Sequence, residues 1–289
     1  MNILLTGASG FTGRHFMASA IQAGHTVLPL QAELTQPAQL EAEMAQSQPD
    51  AVVHLAAISF VAHADASALY AVNTVGTTNL LAAVAALHKA PRCVLLASSA
   101  NVYGNCNISP ITEAQEPAPV NHYAMSKLAM EHMARTYADR LPLIITRPFN
   151  YTGSGQSLQF VIPKLVDHYA RKAESIELGN LHVEREFNDV RMVCQAYLAL
   201  LQQGKAGEVY NICTGQPYTL QQVMDTLNGI TGHRLTVRVN PDFVRATEVH
   251  RLFGDPSKLQ AATGLDLCRY DLAATLQTML EQAHAQLPR

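Results

Sequence analysis

The stretch LLTGASGFTGRHF, residues 4–16, places three glycines, Gly7, Gly10 and Gly13, at three-residue intervals. Glycine inside regular structure costs about 0.5–1 kcal/mol relative to alanine. Three at fixed spacing therefore mark a backbone that must turn tightly or approach something closely. Upstream, Asn2 to Leu5 is a short apolar run of the kind that forms a buried parallel strand. Downstream, Phe16, Met17, Ala20 and Ile21 recur at helical steps, and Gly24 stands where a helix C-cap falls. The loop thus lies between a strand and a helix start, whose unpaired amides can hold an anion. Its spacing is Gly-x-x-Gly-x-x-Gly rather than Gly-x-Gly-x-x-Gly, but the physics of a tight turn against a pyrophosphate is shared. A glycine-rich turn without a ligand is the competing reading.

Outward from that loop, His25 to Leu30 reads as a second strand. A dinucleotide-binding strand of this kind usually ends near an acidic residue for the adenosine ribose. Here Gln31 stands near that point, with Glu33 and Leu34 just beyond. Neutral Gln31 does not repel a 2′-phosphate, and Arg14 lies close to the glycine loop, so NADP(H) is favoured over NAD(H). Arg14 as an ordinary solvated helix residue is the alternative. AVVHL, 51–55, is a further buried strand, and the small Ala56 and Ala57 after Leu55 leave room for a ligand. A helical segment spans 66–87 and contains Asn73. Residues 93–97 form another strand, ending at Ser98 and Ser99, and a helix covers about 123–138. The next strand, 143–146, is stopped by Arg147-Pro148.

This alternation predicts an α/β, doubly wound parallel sheet with right-handed crossovers over residues 1–150. Residues 151–289 read mainly as a smaller, discontinuous cap that closes over the carboxyl edge of the sheet. A strand at 208–212 is a candidate to return to the main sheet; a helix at 220–231 and a strand at 235–239 follow.

Composition bounds the function. The 289 residues are 48% hydrophobic and 15% charged, with a formal net charge of −3. No basic stripe points to nucleic acid, and no polybasic segment points to a membrane surface. An anionic ligand must be met by local arginines and backbone amides. The five cysteines, Cys93, Cys106, Cys194, Cys213 and Cys268, include no C-x-x-C pair, so buried free thiols are expected and neither disulfides nor a metal site. No secretory signal is read at the N-terminus, and no run of about 18 apolar residues is found. A cytoplasmic protein without a membrane span is the expectation.

NHYAMSK, 121–127, sets Tyr123 and Lys127 four residues apart. On a helix they share a face. A neighbouring ammonium stabilises a phenolate, which would lower the tyrosine pKa and let it exchange a proton near neutrality. A Tyr/Lys pair on a solvated helix is the bland alternative. Against it stand Ser98 and Ser99, at the end of a central strand where ligands bind. A hydroxyl there can hold a carbonyl oxygen together with the tyrosine.

With the glycine loop, the strand-end serines and the Tyr/Lys pair in this order, the sequence resembles the extended short-chain dehydrogenase/reductases that act on nucleotide sugars. The likeness runs through TGASGFTG (6–13), HLAA (54–57), SSANVYG (98–104), YAMSK (123–127), RPFN (147–150), REFNDV (185–190) and YNICTG (210–215), nearly the whole chain. Within the group it is most similar to reductases of a GDP-bound 4-keto-6-deoxymannose, chiefly through RPFNYTGSGQ and REFNDV. The resemblance implies a Rossmann-type domain and a homodimer formed through paired helices at about 66–87 and 123–138. It assigns Ser99, Tyr123 and Lys127 to catalysis. It puts Gly7, Gly10, Phe11, Thr12, Gly13, Arg14, Glu33, Leu34, Leu55, Ala56, Ala57, Asn73 and Pro148 beside the cofactor, with Lys127 also on the nicotinamide ribose. Ser99, Asn150, Arg185, Arg245 and Glu248 fall on the substrate side. Guanidinium forks suit a sugar-nucleotide diphosphate, although either arginine could equally form a surface ion pair.

The group includes reductases, epimerases that retain NAD, and dehydratases. Dehydratases carry an acidic pair after the strand-end hydroxyl, where this chain has Ala100 and Asn101. That argues against dehydration. The absent acid at Gln31 disfavours a tightly held NAD and so favours reduction over epimerisation. A dinucleotide-binding protein without activity is the minor alternative. The base of the nucleotide rests on the resemblance alone, with dTDP, UDP and CDP open.

Overall fold

In the computed structural model, residues 1–59, 65–243 and 249–287 are described. The first strand, β1 (Asn2–Thr6), enters the glycine loop and α1 (Phe11–Gln22). Then come β2 (Thr26–Pro29), α2 (Pro37–Ser47), β3 (Ala51–His54), α3 (Ala66–Tyr70) and α4 (Thr77–Ala85). They are followed by β4 (Val94–Ala97), α5 (His122–Arg135) and β5 (Leu143–Pro148). Later in the chain, α7 (Val190–Gln203) leads into β10 (Val209–Ile212). The strands form one parallel sheet in the order β10-β5-β4-β3-β1-β2. Between β1 and β3 the winding reverses, and the crevice at such a point is where ligands bind in this architecture. The strand at 209–212 does return to the main sheet, parallel to β5.

Alternation in β1 shows how the layers are filled. Ile3 and Leu5 face a cluster that includes Phe16, Val53 and Tyr197, under α1 and α7. Leu4 faces the opposite cluster, with Leu40, Leu80 and Met130 from α2, α4 and α5. Both faces are covered, so the strands are apolar runs rather than alternating ones.

The remaining elements are smaller: β6 (Tyr151–Thr152), α6 (Val161–Ala170), β7 (Ser175–Leu178), β8 (Glu184–Arg185) and β9 (Asn188–Asp189). After β10 follow β11 (Tyr218–Thr219), α8 (Leu220–Thr231), β12 (Thr236–Val239), β13 (Arg251–Leu252), α9 (Ser257–Thr263) and α10 (Leu272–Gln286). Helices α6, α8 and α10 pack a second core around Leu165, Leu227 and Leu276. The helix at 220–231 has the bounds expected, fixed by a reciprocal Thr219/Gln222 capping box and a left-handed Gly232.

Four expectations are corrected. The segment 66–87 is not one α-helix: Ala71–Gly76 between α3 and α4 is a π-helical turn. Asn73 within that turn reaches the backbone of Ile58 and the hydroxyl of Ser126, and Gly76 lies so close to Leu34 that a Cβ there would stand 2.9 Å from it. Strand β5 runs through Arg147-Pro148 instead of stopping before them. Beyond Thr146 it has outrun β4 and pairs only with β10, where the missing N–H of Pro148 breaks no ladder. Residues 66–85 are long and apolar enough to cross a membrane by length and composition, although Leu69, Leu80, Leu81 and Val84 of this run are core residues. Finally, Cys106 is half-buried and Cys268 exposed, both on connecting segments, whereas Cys93, Cys194 and Cys213 are buried thiols.

The glycine loop is tight enough to forbid side chains. Gly7 has φ +70°, and a Cβ on it would stand 2.7 Å from the Ala56 nitrogen. On Gly13 a Cβ would come within 2.0 Å of the Gly7 carbonyl oxygen. Backbone has to move to relieve such a contact, so Gly13→Ala is expected to lose about 1–3 kcal/mol of stability. Urea unfolding of the variant measures this, and a midpoint equal to the parent's would refute the packing argument.

Candidate active site

Asn121 starts the helix that matters most. Its side chain accepts a hydrogen bond from the Ala124 amide (2.8 Å) and caps α5 two residues before Tyr123. Tyr123, Lys127 and Glu131 then repeat every four residues on one buried face, 7%, 4% and 0% exposed. That face lies along the end of β4. Lys127 Nζ donates to the Ala97 carbonyl (2.8 Å), and the Ser98 hydroxyl donates to Glu131 Oε1 (2.6 Å). Ser99, one residue on, lies near enough to the Tyr123 phenol to oppose the rise in its pKa. The Ser99 oxygen also accepts from the backbone and side-chain amides of Asn101, both at 3.1 Å. Its own hydrogen is therefore left to point at the phenol or at a ligand oxygen. Ser99, not Ser98, is the hydroxyl beside Tyr123.

The electrostatics differ from the expectation. Burial pushes the Tyr123 pKa up, and the nearby Ser99 hydroxyl opposes that shift. Lys127 is not what acts on the phenol in this structure, because its ammonium is directed at the Ala97 carbonyl. Burial takes Lys127 down to about 8, with the charge of Glu131 working the other way. Behind Lys127, burial and the lysine's charge take His54 down to about 3, so it is a neutral imidazole. The hydrogens around His54 can be assigned by elimination. Thr6 Oγ1 accepts from the amides of Leu55 (3.1 Å) and Ala56 (3.0 Å), so it donates to His54 Nδ1 (2.7 Å). His54 Nε2 then donates to Thr77 Oγ1 (2.8 Å), whose hydrogen goes to the Asn73 carbonyl.

Most residues expected at the cofactor follow the carboxyl ends of β1, β2, β3 and β5, the edge at which such sheets bind ligands. Gly10 is the N-cap of α1 and offers no side chain, so the first amides of the helix face outward uncapped. Arg14 is exposed, with Nη1 on the Ser9 carbonyl (2.7 Å) and Nη2 on that of Gly155 (3.1 Å). Phe11 stacks on Tyr151 and Thr12 Oγ1 bonds its hydroxyl, so both side chains bind the protein. Glu33 is exposed, Leu34 buried, and Leu55, Ala56 and Ala57 are half-buried beside the glycine loop. Pro148 is buried at the end of β5. Asn73 has its side chain fully engaged: Oδ1 accepts from Ile58 N (2.9 Å), and Nδ2 donates to Ile58 O and Ser126 Oγ. It holds the loop after β3 against α5. A narrow glycine cradle, an uncapped helix start and a loop of small residues fit a dinucleotide diphosphate.

On the substrate side, Asn150 is exposed, and its carbonyl accepts from Asn188 N (3.0 Å). Arg185 is half-buried and donates to the carbonyls of Glu184 and Val249. Arg245 and Glu248 lie outside the described residues. Ala100 is buried and Asn101 is committed to Ser99, so neither position offers an acid. Sequence reasoning missed Glu131 and its buried partner Arg147, which are joined at 2.9 and 2.6 Å. It also missed Glu186, whose carboxylate takes bonds from Gly254, Thr214 and Asn188. The four-residue repeat Tyr123, Lys127, Glu131 was the available signal for the first.

Comparison with known proteins accords with this geometry. The family model described as GDP-mannose 4,6 dehydratase matches residues 28–279. The chain is 36% identical to GDP-6-deoxy-D-talose 4-dehydrogenase of Aggregatibacter actinomycetemcomitans, over 99% of both chains. It is 35% identical to GDP-6-deoxy-D-mannose reductase of Pseudomonas aeruginosa, over 91% of this chain and 90% of that one. Among solved structures, a proposed epimerase of Burkholderia cenocepacia J2315 is 45% identical, with TM-score 0.90 and 98% coverage of both. RMD of Pseudomonas aeruginosa, complexed with NADPH, is 33% identical, with TM-score 0.92 and 99% coverage of both. The chain belongs to the GDP-mannose 4,6-dehydratase family, among the extended short-chain dehydrogenase/reductases.

Proposed function

We propose that the protein reduces the C4 ketone of a GDP-bound 4-keto-6-deoxyhexose, with NADPH preferred to NADH. The observation that carries this is the meeting of Ser99 and Tyr123 at the carboxyl edge of the sheet, with Lys127 one turn along the same helix. When bound, a nicotinamide dinucleotide supplies the hydride. The chain's own part is to hold and protonate the ketone oxygen. Ser99 has a free hydrogen for that oxygen, and Tyr123 gives it the proton as negative charge develops. Donors already aimed at the developing charge contribute most to such a step. Lys127, one turn along α5 with its ammonium on the Ala97 carbonyl, would stand at the nicotinamide ribose, as the family resemblance implies. Gly7, Gly10 and Gly13 with the amides of α1 would hold the diphosphate. Arg185 and Asn150 stand on the side where the sugar nucleotide would lie.

One relative is named for dehydrogenation at C4 of GDP-6-deoxy-D-talose and another as a GDP-6-deoxy-D-mannose reductase; the two sugars are C4 epimers, so one 4-ketone would lead to both. Dehydration is disfavoured because Ala100 and Asn101 cannot serve as acid and base. Epimerisation is the second reading, favoured by the likeness to the proposed epimerase. Stoichiometry separates the two. With GDP-4-keto-6-deoxymannose, one NADPH should be oxidised per product molecule, whereas an epimerase would form product without net oxidation. Tyr123→Phe should cut kcat by about 10²–10⁴-fold, the usual contribution of a positioned acid, and leave NADPH binding near that of the parent. A Tyr123→Phe enzyme with full turnover would remove the assignment.

The NADPH preference rests on neutral Gln31 and on Arg14 beside the glycine loop. Glu43 speaks against it, since its carboxylate sits on the amides of Gln31 and Ala32, where those two donors partly satisfy its charge. Arg14→Ala is expected to reduce the NADPH-over-NADH ratio of kcat/KM about tenfold, the loss of one charge-assisted phosphate contact. An unchanged ratio would show that Arg14 plays no part in it. By the same family likeness the protein pairs through α3, α4 and α5, where Val75, Met125 and Met133 are exposed. Light scattering is expected to give the mass of a dimer; a monomer mass at working concentration would end that part of the reading.

A further inference from the structure

Glu131 is fully buried one turn beyond Lys127. Its Oε1 accepts from the Ser98 hydroxyl (2.6 Å) and Arg147 Nε (2.9 Å), and its Oε2 from Arg147 Nη2 (2.6 Å), with Arg135 3.8 Å away. A buried ion pair is weak support for stability, because desolvation offsets the attraction and an apolar pair of like volume often does as well. Its place among the catalytic groups gives a better reason for it.

Three consecutive residues at the end of β4 meet three turns of α5. Ala97 is held through its carbonyl by Lys127, Ser98 through its hydroxyl by Glu131, and Ser99 reaches Tyr123. Successive side chains of an extended segment point to opposite sides, and Ser99 has extended backbone, φ −160° and ψ 145°. Fixing Ser98 inward on Glu131 therefore turns Ser99 outward to the phenol. We propose that Glu131 is a positioning residue for the Ser99–Tyr123 pair: it aims Ser99 through Ser98.

This role rests on the proposed reduction, and its test keeps the two apart. Glu131→Gln leaves the Arg147 guanidinium buried without its partner and can fail to fold, so the decisive variant is Ser98→Ala, which leaves the ion pair whole and removes only the link to it. Ser98→Ala should lower kcat about tenfold with KM for NADPH within about twofold, and a crystal structure of the variant should show the Ser99 hydroxyl turned away from the Tyr123 phenol. Full kcat in Ser98→Ala, or a Ser99 hydroxyl unmoved in its structure, overturns the aiming role. Wild-type enzyme inert toward the ketosugar, with the Ser99 displacement present in the variant, would instead remove the proposed reduction and leave Glu131 aiming Ser99.

Discussion

The hydrogen-bonded chain Thr6–His54–Thr77 holds the middle of this protein in register. It runs from the end of β1, through the end of β3, to the start of α4, and every hydrogen in it has one place to go. Thr6 takes the amides of Leu55 and Ala56, which puts that loop against Gly7. Thr77 binds the carbonyl of Asn73, and the Asn73 side chain clamps Ile58 to Ser126 of α5. The glycine loop, the loop of small residues and α5 are thus tied to one another through buried side chains. An ionised imidazole would break the chain, because both its nitrogens would donate. Burial and the nearby lysine prevent that down to acid pH.

A second buried hub does similar work farther along the chain. Glu186 is fully buried, and burial pushes its pKa up while four donors from Gly254, Thr214 and Asn188 stabilise the charged form. These donors come from the segment after β13, the segment after β10 and the start of β9. Beside it, Asp189 binds Arg191 and Thr275, which joins the start of α7 to α10. Arg185, adjacent to Glu186, is therefore mounted on backbone fixed to the end of the main sheet. If Arg185 meets a substrate diphosphate as proposed, so firm a base would let it orient that group rather than merely attract it.

The parallel strands, the glycine loop and the Tyr/Lys helix were legible because each depends on local pattern: apolar runs, glycine spacing, a four-residue repeat. Helices α2 and α7 were not predicted. Helix α2 is mostly polar and buries little more than Leu40 and Met44, so its period is faint. Helix α7 follows directly on the two-residue β9, with no break in the sequence beyond the Asp189 cap. The π turn was illegible because an extra residue in a helix is set by what Asn73 and Thr74 bond, Ile58 and Ser126, and these are far away in sequence. The same holds for the electrostatics. Four-residue spacing put Lys127 on the face of Tyr123, but only the fold shows that the carbonyl of Ala97 receives its ammonium and that burial governs both pKa values. Sites built from one element are readable from sequence, whereas sites built by several elements converging are not.

The likeness to both a talose-type dehydrogenase and a mannose-type reductase separates two properties of the site. In the proposed reaction Ser99 and Tyr123 would act on the ketone oxygen, and that oxygen is common to the routes toward either C4 epimer. On that reading they would decide that a ketone is reduced but not the configuration of the product. Configuration depends on which face of the sugar is presented, and hence on how the nucleotide and the ring are held from the opposite wall. On the proposed reading that wall would include Asn150 and Arg185, whose backbone carbonyl and guanidinium are held by Asn188 N and by the carbonyls of Glu184 and Val249 respectively. Chemistry on α5 and stereochemistry beyond the sheet edge can then vary independently. One catalytic helix, held from behind by Asn73, Glu131 and Arg147, would serve enzymes of either outcome.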